Sequence, residues 1–165
     1  MLGKALAIAF VILLAVSGVQ GFLFYSTVIY PADIGKEWVS RAIATNDLLD
    51  MSKYLINALQ ALEPYHGNPG WPFPTPDSSY DQIKINIQEV VKNCQIWTNQ
   101  TGTSFAYQQA VHNLVDTLTQ IHVHLMIANM DLWMNPTFNP IGWIIDGPWI
   151  VLIVICLILL IRELA

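Results

Sequence analysis

The sequence predicts an all-α membrane protein, in which N- and C-terminal transmembrane helices flank an extracytoplasmic three-helix bundle. Three observations lead there. Mean hydropathy is +0.45, and only 12% of the residues are charged, against roughly 25% in an ordinary soluble domain. Two long apolar runs lie at the two ends of the chain. Between them, apolar residues recur with helical spacing, interrupted by proline and glycine clusters.

The first apolar run extends from Ala5 to about Tyr30, long enough as a helix to cover a hydrocarbon core of about 30 Å. A basic start at Lys4 and small residues at Ser17, Gly18 and Gly21 also fit a cleaved signal peptide. Apolar sequence continues past those sites, so a retained anchor (residues 1–31) is expected. Ser17, Gly18 and Gly21 also have the near-helical spacing of a small-residue packing face. Pro31 is expected to end or kink the segment.

Residues 32–140 form the expected outer domain. A first helix over about 36–63 carries Trp38, Ile43, Leu48, Leu49, Leu55, Leu59 and Leu62 on its apolar face. Residues 64–77 contain five prolines; each lacks an amide donor and biases its predecessor toward extended backbone, so this strap cannot be helical. Its Tyr65, Trp71 and Phe73 form a stiff aromatic surface that docks either on another protein or on its own bundle.

Asp77, Ser78 and Ser79 offer caps for a second helix over about 78–97, with Ile83, Ile87, Val90, Val91, Cys94 and Trp97 inward. Asn99-Gln100-Thr101 in the following turn is a formal glycosylation sequon. Thr103 or Ser104 caps a third helix to Met134, with Phe105, Val111, Leu114, Val115, Leu118, Ile121, His122, Leu125, Met126 and Leu132 inward.

Residues 141–165 then supply an interfacial segment and the second span. Trp133, Trp143 and Trp149 make an aromatic belt, and Asp146-Gly147-Pro148 is a helix start with Asp146 as its cap. Trp149 to Ile161 rises only about 20 Å, so the span is short and calls for neighbouring helices. Lys4 and Arg162 flank the outer ends, which places both termini in the cytoplasm and the middle domain outside a plasma membrane, periplasmic in a bacterium or extracellular in an archaeon.

Chemistry is sparse. No phosphate loop, CxxC, HExxH or GxSxG is present, and no cluster of lysine and arginine suggests nucleic acid. Cys94 and Cys156 stand apart, one in the polar middle and one in the second apolar run, which argues against an intrachain disulfide. His122 and His124 lie about 200° apart on a helix and cannot share an ion. His122, Met126, Met130 and Met134 repeat at four-residue intervals, and their thioether and imidazole groups suit copper(I). Core packing is the plainer expectation for this stripe. His112 and Asp116, four apart, could share a metal or simply a hydrogen bond.

A protein without convergent polar groups is not expected to be an enzyme, and no cofactor is expected, copper being the alternative. A chemoreceptor-like sensor module is an alternative, since it too has an anchor, an outer helical bundle and a second anchor; with no output domain expected after the second run, it would signal through a separate partner. The leading expectation is a noncatalytic accessory subunit of a multi-subunit integral membrane complex, such as a respiratory, photosynthetic or metal-dependent enzyme. Its partners are other membrane subunits and the lipid bilayer.

Overall fold

The computed structural model describes residues 2–98 and 105–144, together with 149, 151 and 155; side chains are described from Val11 onward, residue 13 excepted. Among the described residues every regular element is helical. Helix α1 covers Leu2–Phe24, α2 Tyr30–Ile43, α3 Leu48–Leu62, α4 Tyr80–Thr98 and α5 Phe105–Met134. Helices α2, α3, α4 and α5 pack in a closed ring, α2 on α3, α3 on α4, α4 on α5 and α5 back on α2.

The bundle therefore has four helices where the sequence suggested three. The expected helix over 36–63 is broken at 44–47. Asp47 is responsible: its carboxylate accepts the amides of Leu49 (2.8 Å) and Asp50 (3.0 Å), capping α3, and Thr45 Oγ1 accepts the amide of Asp47 (3.1 Å). The break also rephases the apolar pattern. Leu48, Met51, Leu55, Ala58 and Leu62 are buried, and Leu49, read as inward, is exposed.

Pro31 does not end the first helix. The backbone stays helical from Leu2 through Ile43 because Tyr25–Ile29 adopts a π turn, in which the Tyr30 amide reaches back five residues to the Tyr25 carbonyl. Pro31 has no amide to give and its ring crowds the preceding turn, and the shifted register places it in the first turn of α2. The hydroxyls of Ser26 (3.1 Å) and Thr27 (2.7 Å) both donate to the Leu23 carbonyl, and the Tyr65 hydroxyl donates to the Val28 carbonyl.

Alpha-2 approaches the C-terminal end of α3 so closely that a Cβ on buried Gly35 would lie 2.7 Å from Cγ and Cδ2 of Leu62. Leu62 is fully buried and has nowhere to move. Gly35→Ala is expected to destabilise the bundle by about 1–3 kcal/mol through overpacking, despite the better helix propensity of alanine. A thermal melt of the variant checks this, and an unchanged midpoint would show that Leu62 can repack.

Alpha-4 follows its expected face: Ile83, Ile87, Val90 and Cys94 are buried, and Val91 and Trp97 pack partly against the core. Burial pushes the Cys94 thiol up to about 11, which makes it a core residue and a poor nucleophile. On α5 the buried line is Leu114, Leu118, Ile121, Leu125, Ala128 and Leu132, whereas Phe105, read as inward, is exposed. The candidate caps Thr103 and Ser104, the sequon, Asp146 and Cys156 lie outside the described residues.

After α5, Asn135 and Asn139 organise a tight corner. Asn135 Oδ1 accepts the Thr137 amide (2.8 Å), and Asn139 Oδ1 accepts the Gly142 amide (3.0 Å) at the start of a helical turn over 140–144. Gln20 Nε2 also donates to Asn139 Oδ1 (3.1 Å), and Trp149 Nε1 donates to Ser17 Oγ (2.6 Å). The segment after α5 thus runs back along α1. Among the described residues no helix is long and apolar enough to cross a membrane, so the two transmembrane spans expected from the sequence are not supported here.

Candidate functional site

Three surfaces and one buried network concentrate what the sequence marked out. The network comes first because it positions the rest. Fully buried Tyr80, the first residue of α4, donates its hydroxyl to Asn129 Oδ1 on α5 (2.7 Å). Asn129 Nδ2 donates in turn to Asp33 Oδ1 on α2 (3.0 Å), which also takes Lys36 Nζ (2.8 Å). Burial drives the Tyr80 hydroxyl well above its ordinary titration range, so it remains a neutral donor. One chain of hydrogen bonds thereby ties α2, α4 and α5. Sequence reading missed it, since neither Tyr80 nor Asn129 stands out by spacing.

The strap between α3 and α4 folds onto its own bundle at both limbs. Tyr65 packs its ring on Tyr80 (5.1 Å between centroids) and gives its hydroxyl to α1–α2, so it turns inward rather than toward a partner. Asp81 holds the Gly67 amide (2.8 Å), with His66 Nδ1 at 3.2 Å and Lys84 Nζ at 3.5 Å. Gly67 has φ +74°, a left-handed conformation that glycine adopts without cost. Trp71 and Phe73 remain outward, 45% and 85% exposed.

The Asp81 contact makes a pH prediction. The Gly67 amide, then the His66 side chain, hold the Asp81 carboxyl below its ordinary value. A depressed carboxylate stabilises the fold above its unfolded pKa, and that contribution is lost as pH falls through the folded pKa. Hydrogen exchange at Gly67, corrected for intrinsic rates, is expected to accelerate below about pH 4, and Asp81→Asn is expected to remove most of that dependence.

The stripe of His122, Met126, Met130 and Met134 is not core. Met126, Met130 and Met134 are 44%, 59% and 56% exposed, and His122 is half-buried. His122, Met126 and Met130 each sit one residue beyond a buried residue, Ile121, Leu125 and Asn129, and one residue turns a helix by about 100°. Val123, Ile127 and Trp133 flank the stripe with comparable exposure, which makes an uncovered apolar face on the C-terminal half of α5. Burial, and secondarily the nearby Lys36 charge, keep His122 below its ordinary pKa, so its imidazole is neutral near pH 7. His124 points elsewhere, as the helical spacing demands. His112 Nε2 and Asp116 Oδ2 are 3.6 Å apart with both side chains largely in solvent. Among the described residues no three His, Cys, Asp or Glu side chains gather as a metal-binding group.

The third surface lies along α1. Val11, Ile12, Leu14, Val16, Val19, Phe22 and Leu23 are 46–69% exposed. Ser17 receives Trp149, but a Cβ on Gly18 or Gly21 would meet nothing within 4 Å, so these two small residues have no close helix contact among the described residues. On the face of α1 away from these glycines lies an open apolar groove of about 550 Å³, lined by Val16, Val19, Leu23, Phe138 and Ile141 together with Gln20 and Asn139. Of the aromatic belt, Trp133 meets Phe24 edge-on (4.9 Å), and Trp143 donates its Nε1 to the Met134 carbonyl (2.9 Å) and meets Trp71 edge-on (6.5 Å).

None of these surfaces brings together a nucleophile, a base and an oxyanion donor. Comparison with protein-family models, with curated proteins and with solved structures yields no match.

Proposed function

We propose that this chain is a noncatalytic subunit of a multi-subunit integral membrane complex, anchored by α1 and by the apolar segment that begins near Trp149, with its four-helix bundle packed on partner subunits outside the bilayer. The observation that carries the reading is the uncovered apolar face of α5. From Met134 back to Val123 it exposes six large apolar side chains on one half of a single helix. Met126 lies about 12 Å from Met134 along the helix axis, too far above a bilayer surface at the corner after α5 to be covered by lipid. A contiguous apolar surface of this kind on an otherwise well-closed bundle calls for a protein partner.

Alpha-1 supports the membrane half of the proposal. Moving its seven half-exposed apolar side chains out of water is favourable by on the order of 7 kcal/mol, and the sequence continues apolar back to Ala5. Gly18 and Gly21 leave room for a further helix at close approach. The test is extraction of native membranes in mild detergent, followed by native electrophoresis with mass identification. Co-migration with larger membrane subunits is expected; a monomer or homodimer in every mild detergent would end the proposal.

A second reading is favoured by one observation, the outward position of three methionine thioethers at one-turn intervals below a neutral His122. Such a row on an extracytoplasmic surface fits transient copper(I) binding. Met126→Leu/Met130→Leu nearly conserves volume and separates the readings: a contact face survives it, whereas a copper stripe loses its metal, read as copper per chain in the purified protein.

A further inference from the structure

We propose that the tip of the strap, Trp71 and Phe73, is a third membrane contact that seats in the headgroup region of the same bilayer as α1. This rests on the proposed membrane anchoring. The geometry comes from three pairs that set levels along α1. Trp133 meets Phe24, Asn139 meets Gln20, and Trp149 meets Ser17. The chain after α5 therefore travels along α1 toward its N-terminal end. Trp143 follows Asn139 on that path, and its Nε1 returns to the Met134 carbonyl (2.9 Å), next to the level that Trp133 sets at Phe24, where the exposed apolar stretch of α1 ends. Trp71 stands edge-on to Trp143, so the strap, which leaves α3 beside the π turn, reaches the level at which α1 meets lipid.

The strap is built to hold that position. Asn68 Oδ1 accepts from the Gly70 amide (2.9 Å) and Ser78 Oγ (2.8 Å), while Asn68 Nδ2 donates to the Thr75 carbonyl across the loop. Asn135 Nδ2, buried at the corner after α5, donates to the Pro69 carbonyl (3.0 Å). A Cβ on Gly70 would come within 2.8 Å of Pro74 Cα, so the two limbs touch and the tip projects as a narrow wedge. At its apex Phe73 is 85% exposed between two prolines. Residues 64–76 contain no Asp, Glu, Lys or Arg, so no charge is dragged into the interface. A convex, uncharged, aromatic wedge suits the headgroup layer, where tryptophan and its neighbours concentrate, better than a groove on a folded partner, which rewards a larger and more polar rim.

The test uses the full chain in phosphatidylcholine nanodiscs, with Cys94→Ala and Cys156→Ala and a nitroxide on Phe73→Cys, Leu14→Cys or Lys92→Cys. Collision rates are measured with oxygen, which concentrates in lipid, and with a water-soluble nickel chelate. The ratio of oxygen to nickel collisions at position 73 is expected to exceed that at Lys92 several-fold and to fall below that at Leu14. A water-like ratio at 73, or protection from both reagents, would overturn the proposal, the latter indicating a protein contact. A water-like ratio at Leu14 would instead overturn the membrane anchoring itself. Should the cysteine substitutions disturb folding, judged by helicity, quenching of native tryptophan emission by shallowly brominated lipid decides the matter. Trp71→Phe is expected to remove part of that quenching, and an unchanged quenching would overturn the proposal.

Discussion

Replacing Met126 and Met130 together by glutamate is expected to release the protein from its assembly while leaving its own thermal unfolding almost unchanged. Both side chains are about half in solvent, so the isolated subunit should lose no more than about 0.5 kcal/mol. At a partner interface the same carboxylates would be desolvated without a counter-charge, costing several kcal/mol. A loss of about 4 kcal/mol corresponds to roughly a thousandfold weaker association. Native electrophoresis of the variant beside the Met126→Leu/Met130→Leu control checks this. Retention of the glutamate variant in the complex would mean that the α5 face points away from any partner.

Asn129→Leu is expected to have the largest effect on folding. The substitution keeps the number and branching of the side-chain heavy atoms but leaves the Tyr80 hydroxyl buried without an acceptor and takes a donor from Asp33. Stranding a buried hydroxyl costs about 1–3 kcal/mol, and a hydrogen bond to a charged group is worth about 1.5–3 kcal/mol. A total on the order of 3 kcal/mol follows, because Asp33 keeps Lys36 and is partly solvated. Tyr80→Phe should cost less, since Asn129 still reaches Asp33 through its amide. The double variant should cost less than the two single losses together, because it strands no hydroxyl. Denaturant midpoints of the three variants give this cycle. Additive losses would show that Tyr80 and Asn129 act independently.

The two predictions draw on different kinds of information. The methionine stripe was visible in the sequence as a four-residue repeat, and so was the buried face of α4, because period alone reports which residues share a side of a helix. Period does not report which side faces the core. On α5 both the Leu118/Leu125/Leu132 line and the Met126/Met130/Met134 line are apolar, and only the placement of α2 and α4 around the helix decides that the first is covered and the second is not. The same limit explains Phe105 and Leu49, apolar residues that lie outside.

Local chemistry was legible where one residue acts on its own neighbours. Asp47 carried the signal of a helix start and was overlooked inside a long apolar pattern; the resulting split added the fourth helix. Pro31, expected to end or kink the helix, does not end it: a π turn shifts the register and places the proline in the first turn of α2, and the Val28 carbonyl in the π turn accepts the Tyr65 hydroxyl. The strap was recognisably non-helical from its prolines. Whether it closed on its own bundle depended on Asp81, Asn135 and Trp143, which lie from 4 to 66 residues beyond the residues they hold, and no local rule connects such positions.

By itself, then, the sequence determined the helical class, the proline-stiffened strap and the apolar ends, since all of these follow from composition and from interactions within a turn or two of chain. The tertiary structure alone decided that four helices close the bundle, that Tyr80, Asn129 and Asp33 meet in its interior, and that the methionines look outward. Those depend on contacts between residues 49 to 96 positions apart, and such contacts arise only when whole helices settle against one another.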